Sequence, residues 1–434
     1  MRLLSGFSLK WTLWNAIFVL FLLSLLVQFS KQLFSTYGYE SWHISEFLIN
    51  YQGGFVRRGL TGEILFFFVK NFNLDVEWTI KIFCLACAIA VCAFFVKSFL
   101  NKGYTLYLLP LCFFLGNGVF NHDWIRKDYL FFCFLIPILW LCNKDRLSFG
   151  IRIPVINILS VLIIFSHEVF AFFSLPLLFL LFFDRFKSKG IARSALLSLL
   201  CLSPGIFAFS LCVVFHGNQE TAQGIWGSWM SLLNRETSSA SDMGGAVTAI
   251  GWSSVFAVLK HIGNNFFSLD QRISGLLVWT VTFPAVYYIA TNALRVFKKR
   301  EDDFTRRHKT VLSSVLVFQL LCLSPVFMVL SCDYIRVFFY WTASSFTLFL
   351  LLPLEKIESL FPACLFSFAE RINKVLADIL PPSRAVLALL MMFIGITPFG
   401  FNALGAIHTT MSYNVLSLLS MPLQLFRTVL LESL

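Results

Sequence analysis

The sequence predicts an all-α, polytopic helical membrane protein with about 11–12 transmembrane helices and two larger outer loops. Three observations predict it. Of 434 residues, 58% are hydrophobic and only 13% are charged, about half the charge of an ordinary soluble domain. Phenylalanine alone supplies 52 residues, more than a water-facing fold can hide but readily left exposed to lipid. The apolar residues fall in long runs parted by short basic loops, and the mean hydropathy is +0.78.

A spanning helix needs roughly 20 apolar residues, with a range of about 17 to 25. Against that length, spans fall near 11–30, 78–97, 104–120, 129–143, 153–166, 169–183, 195–216, 273–294, 310–331, 337–353, 386–405 and 413–431. The two segments around Ser166-His167-Glu168 read as a tight helical hairpin or a single broken span. The run 64–72 is too short to cross and follows a glycine-rich stretch, so it is expected to be re-entrant or interfacial. Residues 1–434 form one integral membrane domain, with outer loops at 31–77 and 217–272. The second loop carries Trp226, Trp229 and Trp252, residues suited to the membrane interface.

Lys and Arg in the short loops set the orientation. With a cytoplasmic N-terminus, the inner loops hold 22 of the 34 basic residues, whereas the longer outer segments hold 11. The expected location is the bacterial cytoplasmic (inner) membrane, crossed many times. No small-residue cleavage site follows the first span, which is expected to remain as an anchor. The net charge of +11 follows from these inner loops, so nucleic acid is not an expected partner. The eleven Cys residues lie almost all in apolar runs, as small buried hydrophobes do. The C-x-x-C of Cys84 and Cys87 has no second pair beside it.

In this topology five polar clusters converge on the outer face. They are Glu40–Glu46 with Tyr51–Glu63; Asn121–Asp128; His167-Glu168; the 217–272 loop; and Asp333–Arg336. Charges at membrane depth are costly, so their gathering at one leaflet points to a shared site. Gly53-Gly54 and Gly59 let the backbone near Arg57-Arg58 approach a ligand, and paired guanidiniums suit phosphate oxygens. The alternative is that one arginine snorkels and the other pairs with Glu63 or Glu46. His122-Asp123 and Arg126-Lys127-Asp128 offer a base with a cationic clamp, or else a self-satisfied helix cap.

Glu168, beside His167, is bracketed by apolar sequence, and burial is expected to raise its pKa toward that of a proton-transfer group. The alternative is a Glu locked to an arginine such as Arg336. Asp333 and Arg336, one turn apart, form an intrahelical pair or a second phosphate clamp. The candidate catalytic residues are thus Glu46, Glu168 and Asp123. The candidate substrate-binding residues are Arg57, Arg58, His122, Arg126, Lys127, His167, Asp333 and Arg336. There is no P-loop, no dinucleotide fingerprint, no H-E-x-x-H and no Cys/His set with metal spacing, so no metal or other cofactor is expected.

The chain resembles two families of envelope enzymes. Enlarged first and later outer loops, with acidic residues in the first (Glu40, Glu46), are similar to the GT-C glycosyltransferases. The Phe-rich composition with outer-loop arginines (Arg57, Arg58, Arg126, Arg336) is similar to the Wzy-type polymerases of O-antigen and capsule. The paired Asp-Glu of many protein mannosyltransferases is absent. The resemblance implies envelope polysaccharide (lipopolysaccharide or capsule) biosynthesis, with a polyprenyl-(pyro)phosphate-linked glycan donor, a glycan acceptor and membrane lipid as partners. A chain-length regulator or other envelope-assembly proteins would fit the same role. The rival expectation is a transporter or flippase for a lipid-linked or anionic solute, to which the breaks at Ser203-Pro204-Gly205 and Ser324-Pro325 are suited.

Overall fold

The computed structural model describes residues 33–104, 124–144, 147–233, 243–263, 283–296, 306–331 and 333–380, with a few isolated positions besides. Every regular element among them is helical. In chain order these are α1 (Trp42–Leu48), α2 (Gly59–Phe72), α3 (Val76–Asn101), α4 (Asp128–Cys142), α5 (Phe149–Ser166), α6 (Phe170–Phe186), α7 (Ile191–Val214) and α8 (Gln219–Met230). They continue as α9 (Gly245–Ile250), α10 (Ser254–Ile262), α11 (Phe283–Val296), α12 (Arg306–Pro325), α13 (Tyr334–Leu351), α14 (Leu354–Leu360) and α15 (Ala363–Ile379). A π-helical turn, Val326–Leu330, extends α12.

Four helical segments are long and apolar enough to cross a membrane: Val76–Asn101, Phe149–Ser166, Ile191–Val214 and Arg306–Leu330. They coincide with the expected spans 78–97, 153–166, 195–216 and 310–331, and they give the chain the character of a membrane protein. The expected spans 129–143, 169–183 and 337–353 are helices of 15, 17 and 18 residues. The spans 11–30, 104–120, 386–405 and 413–431 lie outside the described residues but for isolated positions.

Local chemistry sets several helix starts. The side chains of Asp75 and Asn218 accept from the amides of Trp78 and Thr221, both at 2.8 Å, and so satisfy orphan donors at the starts of α3 and α8. Helix α13 is the hub, buried from Val337 to Leu350. A helix apolar on all sides must lie inside its bundle. Its buried hydroxyls bond back along the helix, as Thr342 does to Phe338 O at 2.9 Å and Thr347 to Ala343 O. Helices α4, α6 and α12 surround it, and the Trp341 indole donates to Leu316 O on α12 at 2.6 Å.

Ser166 and Glu168 bracket a sharp turn, so the α5–α6 pair is two separate helices rather than one broken span. Pro204 sits inside an uninterrupted α7. Pro325, by contrast, marks the change from α-helical to π-helical geometry. The 64–72 run belongs to the 14-residue α2, which exposes Ile64, Phe67, Phe68 and Phe72.

The two expected loop regions pack on one another. Trp229 on α8 donates to Leu48 O at 2.8 Å, Asn50 to Ser228 Oγ at 2.9 Å, and the Ala246 amide to Ser45 Oγ at 2.9 Å. The contact is close enough that a side chain at Gly53 would strike the backbone of Thr221 and Ile225. Residues 178 to 201 positions apart in sequence therefore pack into one cap.

Candidate functional site

Beneath that cap the charged residues form a continuous chain. At its buried end Asp128, the first residue of α4, receives both arms of Arg336 from the first turn of α13, Nε to Oδ2 at 2.9 Å and Nη2 to Oδ1 at 2.7 Å. Tyr340, one turn further along α13, donates its hydroxyl to Asp128 Oδ1. Arg336 Nη2 also reaches Glu46 Oε1 at 3.2 Å. Glu46 Oε2 takes Arg126 Nη1 at 3.3 Å, and that guanidinium bonds Trp42 O at 2.9 Å.

His167 stands between two carboxylates, with Nε2 3.7 Å from Glu46 Oε1 and Nδ1 3.6 Å from Glu168 Oε2. Its Nδ1 accepts from the Val169 amide at 3.3 Å, which places the proton of the neutral ring on Nε2, facing Glu46. At the far end Glu168 holds Arg58 at two points, Nη2 to Oε1 at 2.6 Å and Nε to Oε2 at 2.9 Å, and takes Arg57 Nη1 at 3.4 Å.

Lys127 binds no carboxylate among the described residues. Fully buried, its Nζ donates to Arg58 O at 2.9 Å and Ser166 O at 3.4 Å. This tie secures an unusual backbone, because Arg58 has φ 66 and ψ 4, a left-handed conformation costing about 1–3 kcal/mol for a residue with a side chain. Burial pushes the Lys127 ammonium down to about 8, against which the neighbouring Glu46 works.

Exposure varies along the chain of charges. The side chains of Arg57, Arg58 and Glu168 are 24%, 26% and 14% exposed, whereas those of Glu46 and Asp128 are 3% and 0% exposed. Arg336 and Asp333 are 13% and 18% exposed, so the chain reaches the surface at both ends, and the Arg57–Arg58–Glu168 end is the one that presents two partly exposed guanidiniums together. Among the described residues of this cluster five cations (Arg57, Arg58, Arg126, Lys127, Arg336) meet four carboxylates (Glu46, Asp128, Glu168, Asp333), and Arg57 Nε is buried with no hydrogen-bond partner among them. A surplus of positive charge with an unused donor suits an anion.

The expected rise of the Glu168 pKa is reversed. Burial does push the carboxyl up, but the charges of Arg58 and Arg57 and the Arg58 hydrogen bonds outweigh it and hold Glu168 well below the usual carboxylate range. Glu46 is likewise depressed, with burial opposed by Arg336 and Arg126. The alternative of a Glu locked to an arginine does occur, with Arg58 and Arg57 in place of Arg336, whereas the pairing of either arginine with Glu63 or Glu46 does not. Arg57 and Arg58 bind Glu168, while Glu63 takes the Tyr51 amide at 2.8 Å and the Gln52 side chain at 2.7 Å. Arg336 bonds Asp128 and Glu46, and its intrahelical approach to Asp333 is a loose 3.9 Å.

Of the sequence candidates, Glu46, Arg57, Arg58, Arg126, Lys127, His167, Glu168, Asp333 and Arg336 come together. His122 and Asp123 lie outside the described residues. Sequence reasoning placed Asp128 in the Arg126-Lys127-Asp128 cluster without giving it a role of its own, and it missed Tyr340. It also missed His261 on α10, which burial and the nearby charges of Arg58, Lys260 and Arg57 hold below the ordinary histidine range. Comparison with family models, with curated proteins and with solved structures finds no match.

Proposed function

We propose that this chain is a polytopic enzyme of the bacterial cytoplasmic membrane that transfers or polymerises sugars from a polyprenyl-(pyro)phosphate-linked donor at the outer face. One observation carries the reading: a partly exposed Arg57–Arg58–Glu168 constellation, with surplus positive charge, at the end of lipid-compatible helices. The donor phosphate would rest at the interface while its hydrocarbon tail stays among apolar helices.

In this scheme the guanidiniums of Arg57 and Arg58 take the donor phosphates, and their withdrawal from Glu168 restores its basicity. Glu168 then removes the proton from an acceptor hydroxyl, whose oxygen attacks the anomeric carbon of the donor sugar. The bond from that carbon to the phosphate oxygen breaks, and the lipid phosphate leaves with the electron pair, its growing charge stabilised by the arginines. Glu46 and Asp128, both buried, and the partly exposed Arg336 are the frame that positions His167 and the α5–α6 turn.

The test is Arg58→Lys in the purified full chain supplied with a lipid-linked donor and acceptor. A planar fork cannot be replaced by a point charge, so glycan formation should fall about 10- to 100-fold at unchanged membrane level. Full activity would remove Arg58 from the site. The π-turn after Pro325 favours a second reading, a transporter for a lipid-linked or anionic solute. Product formation in detergent, where no compartments exist, decides between the two.

A further inference from the structure

Helix α15 takes no part in the charged chain, yet its two faces are both apolar in part. Leu365, Ala369, Ile372 and Leu376, spaced four, three and four apart, pack toward the protein core. Phe368, Val375 and Ile379, spaced seven and four, form a second stripe that is 54%, 57% and 67% exposed. The helix has 17 residues and is about 25 Å long, with Glu370, Arg371, Lys374 and Asp378 within it. Such a helix cannot cross a hydrocarbon layer.

Its contacts fix its level. Glu370 Oε1 meets Arg306 Nη2 at 3.3 Å and Thr310 Oγ1 at 3.4 Å, and Asn373 donates to Ser313 Oγ at 2.9 Å. All three partners lie in the first two turns of α12, where the charged start Arg306–Lys309 gives way to the apolar run of a membrane-crossing segment. Helix α15 therefore packs on α12 where polar sequence becomes apolar, which is where a bilayer has its headgroups. The charge of Glu370 is answered by Arg306, whereas Arg371 and Lys374 are exposed and make no ion pair among the described residues. Arg371 borders the exposed stripe.

We propose that α15 lies in the plane of the membrane at the end of α12 that carries Arg306. Phe368, Val375 and Ile379 enter the acyl region, and Arg371 and Lys374 bind the phosphates of anionic lipids. The stripe supplies the apolar half of an interfacial helix and the two cations supply the half that selects headgroups.

The experiment places p-benzoylphenylalanine at position 368 or 375 of the full chain, reconstituted in phosphatidylethanolamine vesicles with a minor fraction of phosphatidylglycerol. Illumination should yield lipid adducts at both positions, with phosphatidylglycerol enriched over its bulk share. Arg371→Gln with Lys374→Gln should lower that enrichment by about 5-fold for each charge removed. Both side chains are exposed, so the fold should tolerate their loss. Absence of lipid adducts at both positions, or adducts only to polypeptide, would overturn the placement. Equal phosphatidylglycerol enrichment with and without the two cations would overturn their role as headgroup ligands.

Discussion

Arg336 and Asp128, 208 positions apart, form a two-point ion pair in which the carboxylate is wholly buried and also takes the Tyr340 hydroxyl. The pair locks the start of α4 to the start of α13, and through Glu46 it extends to α1. Removing one partner strands a buried charge, which costs about 3–5 kcal/mol, whereas removing both spares most of that penalty. Asp128→Ala should sharply lower the thermal unfolding temperature in detergent. Asp128→Ala with Arg336→Met should recover a large part of the loss. Additive losses would mean the pair contributes little.

The exposure gradient separates the two carboxylates once grouped as bases. Glu168→Gln should abolish glycan formation while leaving the protein folded, because its carboxyl and the two arginines it holds are partly exposed. Glu46→Gln should show its main effect on unfolding temperature and membrane level, since it neutralises the anion between Arg126 and Arg336. Equal activity loss with unchanged stability in both would return Glu46 to the list of bases.

Lys127 predicts a pH signature. Its pKa falls from 10.5 to about 8 on folding, so the folded state holds the proton less tightly than the unfolded one. The resulting destabilisation, on the order of 3 kcal/mol, is fully present below pH 8 and is relieved as pH rises from 8 toward 10.5. Unfolding followed across that window should show wild type gaining stability relative to Lys127→Met. Parallel curves would show that the ammonium is not desolvated.

Glycine at position 62 is a packing requirement. A Cβ there would collide with the carbonyl oxygens of Ile49 and Phe47, forcing α2 away from the segment that carries Glu46. Gly62→Ala should destabilise by about 1–3 kcal/mol. Gly227→Ala, which meets nothing within 4 Å, should be silent. The ratio of folded to aggregated protein after mild heating distinguishes them.

The sequence by itself determined the helical class and, among the described residues, the positions of the long apolar helices, because both follow from composition and run length, which are local. It also singled out Arg57, Arg58, Glu168 and Arg336, because charges next to long apolar runs are conspicuous. Pairing was not local and could not be read there. That Arg58 chooses Glu168 rather than Glu63 depends on a left-handed backbone turn held by Lys127 from another helix. That Arg336 chooses Asp128 depends on two helix starts meeting across the bundle. The sign of the Glu168 shift was lost for the same reason: burial is visible in an apolar sequence, but the two guanidiniums that outweigh it arrive from more than 100 residues away. Tertiary structure alone decides which charges share a low-dielectric space, and that sharing turns a buried carboxyl from a proton carrier at rest into a locked anion.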